Sequence, residues 1–147
     1  MTTVKMGVTI ARPVEDVFAV LSDVENVPRW SSSTVEEKLI TPGPLRVGSR
    51  RRAVIKTVAG RTMVNEAEMV ELEPNRRMVV ELVDSPIPTR IDIAFAATNG
   101  ATRLDWTADF SFRGVLRLFG PPLALFYRRS FQKDLDRLKR LMEDREL

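Results

Sequence analysis

The sequence predicts one α+β domain over residues 1–147, a seven-stranded antiparallel sheet curled around a long C-terminal helix. Three observations carry this. Residues Pro121 to about Asp144 form an amphipathic helical pattern. Six strand-like runs divided by turn signals precede it, and one clean strand followed by two short helical patterns opens the chain.

The last helix organises the rest. On a helical wheel Leu123, Tyr127, Phe131, Leu135, Leu138, Leu141 and Met142 share one face. Arg128, Arg129, Gln132, Lys133, Asp136, Arg137, Lys139 and Arg140 share the other. Pro121 and Pro122 suit a first turn, where an N–H has no intrahelical partner to lose. Such a helix runs about 35 Å, the width of a small domain, and needs a broad apolar surface to lie on.

From the start of the chain, Val4, Met6, Val8 and Ile10 alternate with Lys5, Gly7 and Thr9, a half-buried strand. Pro13 opens a helix whose positive end is favoured by Glu15 and Asp16 and whose apolar face is Val14, Val17, Phe18 and Leu21. Ser22-Asp23 stops it and caps a shorter helix to about Val27, which Pro28 is expected to end. Strands are then expected over Thr34 to Thr41, Ser49 to Ala59, Thr62 to Glu73, Arg77 to Asp84, Arg90 to Thr98 and Thr102 to Phe112. Between them lie Pro42-Gly43-Pro44, Gly60-Arg61, Pro74-Asn75, the Pro86/Pro88 pair and Asn99-Gly100, the last a hairpin dipeptide that tolerates positive φ. Links this short imply an antiparallel meander.

Strand parity assigns the faces. Leu104, Trp106, Ala108, Phe110 and Phe112 share one face of the last strand; Ile91, Ile93, Phe95 and Ala97, then Met78, Val80 and Leu82, do so on the strands before. Ala53, Ile55 and Thr57, with Met63, Asn65, Ala67 and Met69, are expected inward on the earlier pair. A sheet this wide curls. A straight helix meets a curled sheet at its flanks before its middle, which leaves room for a cavity.

Composition narrows the chemistry. The chain has 44% hydrophobic and 29% charged residues, those of an ordinary globular domain. It has neither cysteine nor histidine, which removes disulfides, Cys-His and Ser-His nucleophiles and the usual zinc sites. No Walker loop, G-x-G-x-x-G or Asp-rich calcium loop appears, so no metal and no cofactor is expected. The first ten residues alternate where a signal peptide would run apolar, and cytoplasm is the expected location. The longest apolar stretch, Val115 to Tyr127, is broken by Arg117, Gly120 and two prolines, so no transmembrane segment is expected. Net charge is +3, and basic clusters at Arg50-Arg51-Arg52, Arg76-Arg77 and Arg128-Arg129 are interspersed with acids or split between faces by the strand period. A solvated face, not nucleic-acid binding, is the expectation.

Several stretches resemble the helix-grip fold of the START-like and birch-pollen-allergen-like superfamily, in particular its bacterial polyketide cyclase/dehydrase-type branch. They are Ile10-Ala11-Arg12-Pro13-Val14-Glu15-Asp16-Val17-Phe18 and Asp23-Val24-Glu25-Asn26-Val27-Pro28-Arg29-Trp30, the second like a helix ending at a tryptophan. Val47-Gly48-Ser49, Glu73-Pro74-Asn75-Arg76-Arg77, Gly100-Ala101-Thr102-Arg103-Leu104 and Asp134-Leu135-Asp136-Arg137-Leu138-Lys139 fall where that family has similar turns and its closing helix. The resemblance implies a small hydrophobic ligand, lipid-like or aromatic and polyketide-like, held between sheet and last helix by a monomer or homodimer. It equally admits a cyclase/dehydratase-type enzyme, or an interaction module with no ligand. The polar pocket residues of the family's aromatase/cyclases match no positions here one by one.

Wheel and parity then name candidates. Asp134 falls on the apolar face with Ser130 beside it, so it is either a desolvated acid/base or a carboxylate paired with Arg137 or a strand arginine at the sheet edge. Tyr127, the only tyrosine, points inward, either to hydrogen-bond a ligand carbonyl or, with Asp134 the other catalytic candidate, to donate a proton, or else as a core aromatic. Asn65 is the only amide on its face; a bulge or slipped register would put Glu66 and Glu68 inside instead. Trp30, Ile55, Met78, Phe95, Trp106 and Phe131 complete the expected ligand-contacting set. Val115 to Gly120 is expected to be a gate hinged at Gly114 and Gly120, or a short helix packed on the sheet end or on a second subunit.

Overall fold

The alternating N-terminus forms β1 (Thr2–Ile10), with Val4, Met6, Val8 and Ile10 buried. The computed structural model describes residues 2–57, 60–83, 85 and 87–147. After β1 come α1 (Val14–Ser22), a 3-10 turn (Val24–Asn26) and α2 (Val27–Trp30). Six strands follow: β2 (Thr34–Leu39), β3 (Arg50–Lys56), β4 (Thr62–Glu73), β5 (Arg77–Val83), β6 (Thr89–Thr98) and β7 (Ala101–Phe110). A 3-10 helix (Gly114–Phe119) leads into α3 (Gly120–Glu143). The expected strand ends at Ala59 and Asp84 and the turn at Pro86 lie outside the described residues.

The strands form one antiparallel sheet in the order β1-β7-β6-β5-β4-β3-β2, so the meander closes on the N-terminal strand. This is the helix-grip architecture. Asn99 and Gly100 both take positive φ, 51° and 80°, as the β6–β7 hairpin requires.

Pro28 corrects the expectation at the second helix. It begins a helical turn, at the start of α2, because proline at that point gives up no intrahelical bond. Asp23 does cap the preceding 3-10 turn, accepting from the Glu25 N–H at 3.2 Å.

Helix α3 lies along β1. Arg128 Nε donates to Lys5 O at 3.2 Å, Gln132 Nε2 to Gly7 O at 3.1 Å and Lys139 Nζ to Thr9 O at 2.8 Å. These are alternate carbonyls of an edge strand, which have no neighbouring strand to receive a bond from. Beneath this seam Leu135, Leu138 and Met142 are fully buried with Ile10, Val17 and Leu104. At its other end α3 departs from the expected face: Leu123 is exposed, while its neighbours Gly120 and Ala124 are the buried residues of the first turns. Gly120 is no hinge. It is helical and buried, and a Cβ there would stand 3.2 Å from Phe112.

Candidate functional site

Because α3 sits over β1, the curled half of the sheet from β2 to β6 is left partly uncovered from within. A cavity of about 200 Å³ opens there. Its floor includes Ile55, Met69, Met78, Val80, Ile91 and Ile93; Tyr127 and Phe131 of α3 roof it; Val24, Val27 and Trp30 close one end. Trp30, Trp106 and Phe131 form an edge-to-face cluster, with centroids 6.2 Å apart for the indole pair and 4.7 Å for Trp106–Phe131. Tyr127 stacks on Phe131 at 5.4 Å.

Two β-bulges place the polar groups. On β2 the register shifts between Thr34 and Glu36, so Val35 is exposed while both Thr34 and Glu37 reach the cavity wall. On β4 a shift between Met69 and Glu71 turns Leu72 inward opposite Met78 and sends Glu71 outward to Arg77. Asn65 and Ala67 therefore stay inward as expected, and Glu66 and Glu68 point out to Arg52 and Arg50.

Glu37, Ala53 and Asn65 form one cross-strand row, Glu37 opposite Ala53 and Ala53 opposite Asn65. The methyl group between two long polar side chains leaves space above it. Arg51, two residues before Ala53 on the same face, brings Nη1 to 3.3 Å from Glu37 Oε2. Glu37 is 6% exposed, and burial pushes its carboxyl above the ordinary value although Arg51 pulls it down. A carboxyl whose pKa is raised by burial, beside a guanidinium on a cavity wall, is placed to hold or pass a proton. Parity finds only half of this pair: Arg51 shares the face of Ala53 and Ile55, but strict alternation would set Glu37 with Val35, which the bulge after Thr34 turns out to solvent.

Among the described residues, three buried side-chain polar atoms make no well-formed hydrogen bond: Trp30 Nε1, Trp106 Nε1 and Asn65 Oδ1. All three residues line the cavity. Indole N–H can only donate and an amide oxygen can only accept, so the wall presents a free donor at Trp30 and a free acceptor at Asn65, while the Trp106 N–H is directed at the Tyr127 hydroxyl without closing a well-formed bond. Ser31 Oγ lies 3.1 Å from Thr34 Oγ1 at the same end. The Tyr127 phenol stays neutral across the ordinary pH range: desolvation raises its pKa far, and the nearby Trp106 indole only partly offsets this.

Other expected residues stand elsewhere. Phe95 is buried but packs edge-on against Phe18 at 5.2 Å, under α1 and off the cavity wall. Ser130 is half-buried and likewise off the wall, one helical turn from the residues that roof it. Asp134 is 2% exposed, yet it does not line the cavity. Its Oδ1 accepts from the Ser32 N–H at 3.1 Å and lies 3.9 Å from Arg137 Nη1, the pairing alternative of the two read from the sequence. Burial still raises its pKa, against the hydrogen bonds from Ser32 and the charge of Arg137. The segment after β7 is a short helix, but Val115, Leu118 and Phe119 are exposed and none lines the cavity. Among the described residues no group of three or more acidic side chains stands where it could hold a metal.

Comparison with known proteins agrees with this architecture. The model of the family described as polyketide cyclase/dehydrase and lipid transport matches residues 1–143. The uncharacterized protein Rv2574 of Mycobacterium tuberculosis is 31% identical over 140 residues, 88% of this chain and 80% of that one. Among solved structures, NE0264 of Nitrosomonas europaea superposes with a TM-score of 0.77 at 16% identity, covering 98% of this chain and 96% of its own. The di-domain ARO/CYC BexL of the BE-7585A biosynthetic pathway superposes with a TM-score of 0.76 at 18% identity, over 97% of this chain and 47% of that one. At such identities these structures speak to the fold.

Proposed function

The chain belongs to the polyketide cyclase/dehydrase and lipid transport family, and from that premise we propose that it binds one compact, largely apolar ligand, aromatic and oxygen-bearing, in the cavity beneath Tyr127 and Phe131. The observation that carries this is the pair of unpartnered polar atoms on Trp30 and Asn65. A buried polar group without a partner costs roughly 1–3 kcal/mol. Two on one wall are accounted for if a ligand oxygen receives the Trp30 N–H and a ligand hydroxyl or N–H reaches Asn65. Size supports a ring system: the volume slightly exceeds the ~150 Å³ of an apolar cavity known to take up benzene.

A second reading, an enzyme of the cyclase/dehydratase type, is favoured by one observation, the raised carboxyl of Glu37 beside Arg51 on the same wall. Glu37 replaces Asp134 as the acid/base candidate, since Asp134 faces the Ser32 loop.

The chain has two tryptophans and both line the cavity, so intrinsic fluorescence reports on this site alone. Titration with 2-naphthol, an uncharged bicyclic aromatic carrying one hydroxyl, should change the tryptophan emission, and native mass spectrometry should show one probe per chain. Absence of both signals, with the fold intact by circular dichroism, would overturn the binding reading. Binding retained in Glu37→Gln with loss of turnover on a polyketide-like substrate would establish the enzyme.

A further inference from the structure

The other unexplained surface lies on the far side of the same helix. Between Asp109 and Asp134 the sequence has no acidic residue and five basic ones, Arg113, Arg117, Arg128, Arg129 and Lys133. The same stretch holds exposed apolar side chains on formed structure: Leu118 is 79% and Phe126 61% exposed, with Val115, Phe119 and Leu125 beside them in sequence and also exposed. On α3, Leu125, Phe126, Arg129 and Lys133 all project away from the sheet, so the outward face is apolar where the helix begins and basic a turn later. Isolated exposed apolar residues need no explanation, but a cluster of this kind does.

We propose that this face docks the protein on an anionic lipid surface, with Leu118, Phe119 and Phe126 entering the headgroup boundary and the flanking arginines on lipid phosphates. An interfacial element of this type joins a short apolar face to a cationic border, and the charge pattern selects the occupant. A second copy applied face to face would bring the basic side chains of this face, Arg129 and Lys133 among them, against their own copies, Arg128 being turned to the Lys5 carbonyl on the β1 seam. The acids of the outer sheet face offer no receptor either, because Glu66, Glu68, Glu71, Glu81 and Asp92 are already paired with Arg52, Arg50, Arg77, Arg90 and Arg77. The proposal is independent of what the cavity holds, although Tyr127 and Phe131 roof the cavity from the inner side of the same turns.

The test is co-sedimentation of the intact chain with vesicles of phosphatidylcholine alone and of phosphatidylcholine mixed with phosphatidylglycerol. Binding is expected to the mixed vesicles and to weaken with added salt. Arg117→Ala should weaken it roughly fivefold, the worth of one basic residue at such a surface. Leu118→Glu and Phe126→Glu should each weaken it by about tenfold or more, with unchanged circular dichroism. Equal affinity for neutral vesicles, no sedimentation at low salt, or wild-type binding by the glutamate variants would overturn the proposal. So would a dimer in sedimentation equilibrium that both glutamate variants dissociate, since the face would then be covered by a second copy. A protein partner competing with vesicles for the face at physiological salt would count against it in the same way.

Discussion

Asp134, in the middle of the last helix, accepts a hydrogen bond at 3.1 Å from the backbone N–H of Ser32, 102 residues earlier in the chain. It ties the loop between α2 and β2 to α3 at the polar end of the cavity. Ser31 on that loop is buried, and Ser31, Ser33 and Thr34 line the cavity. The carboxylate thus acts on the site through the loop it holds.

Burial keeps the Asp134 carboxyl above its ordinary value of 3.8. In the window from that value up to the raised one, the folded chain holds a proton that the unfolded chain has released. The group's contribution to stability is therefore greatest below the ordinary value and falls as pH rises through the folded one. Asp134→Asn keeps an acceptor for Ser32 and removes the titration. Urea unfolding across the acid range should show a flatter pH profile, with equal or higher stability at neutral pH; a profile superimposable on the wild type would refute the assignment.

Glu37 and Arg51 should respond unequally. Arg51→Met leaves a buried carboxylate without its cation and is expected to cost about 1–3 kcal/mol at neutral pH, below the ~3–5 kcal/mol of a fully enclosed pair because Arg51 is partly exposed. The loss should shrink in acid, where Glu37 takes up a proton. Glu37→Gln should cost less, and the double variant should be more stable than Arg51→Met alone. Denaturant melts of the three chains decide this, and a more damaging Glu37→Gln would contradict it.

Ala53 sits between Glu37 and Asn65. Ala53→Leu would project into the space above that row, and it is expected to reduce probe affinity at least about tenfold. The fold should be kept at a cost of roughly 1–3 kcal/mol. Fluorescence titration beside a thermal melt separates the two effects; full affinity in a well-folded variant would mean the ligand does not use this row.

Arg12 holds the end of α3. Its Nη1 donates to Met142 O at 2.7 Å and to Leu147 O at 3.2 Å, while Nη2 pairs with Asp16. Arg12→Ala should remove roughly 1.5–3 kcal/mol and lower the melting temperature by several degrees. Unchanged melting would show the C-terminal carbonyls to be satisfied by water.

The architecture was legible because its signals are long. Strict alternation in β1 and β7 and a helical pattern through α3 leave few alternatives, and Asn99-Gly100 fixes one hairpin register. Parity also found the cavity wall at Ile55, Asn65, Met78 and Trp106. It did not find Glu37, because the bulge after Thr34 breaks the period at the strand that carries it. It misplaced Phe95 and Leu123 for a different reason. Both lie on apolar faces, but periodicity does not say what covers a face: α1 covers Phe95 through Phe18, and nothing covers Leu123. Asp134 shows the same limit: the wheel showed that it was inside, not which neighbour it met.

The seam between β1 and α3 also constrains how the chain is made. Strand β1 is translated well before its partners: its pairing strand begins only at Ala101, and the side chains that occupy its other edge lie at Arg128, Gln132 and Lys139. At ~5–20 residues per second, an apolar strand with both edges open waits roughly 5–20 s for its partners. The sheet order is thus closed only once the stretch from Ala101 onward has been made, and the hairpins between β2 and β6 form before the strand that closes the order. In the finished fold the open side of β1 is met at Lys5, Gly7 and Thr9 by side chains of α3 in place of a strand.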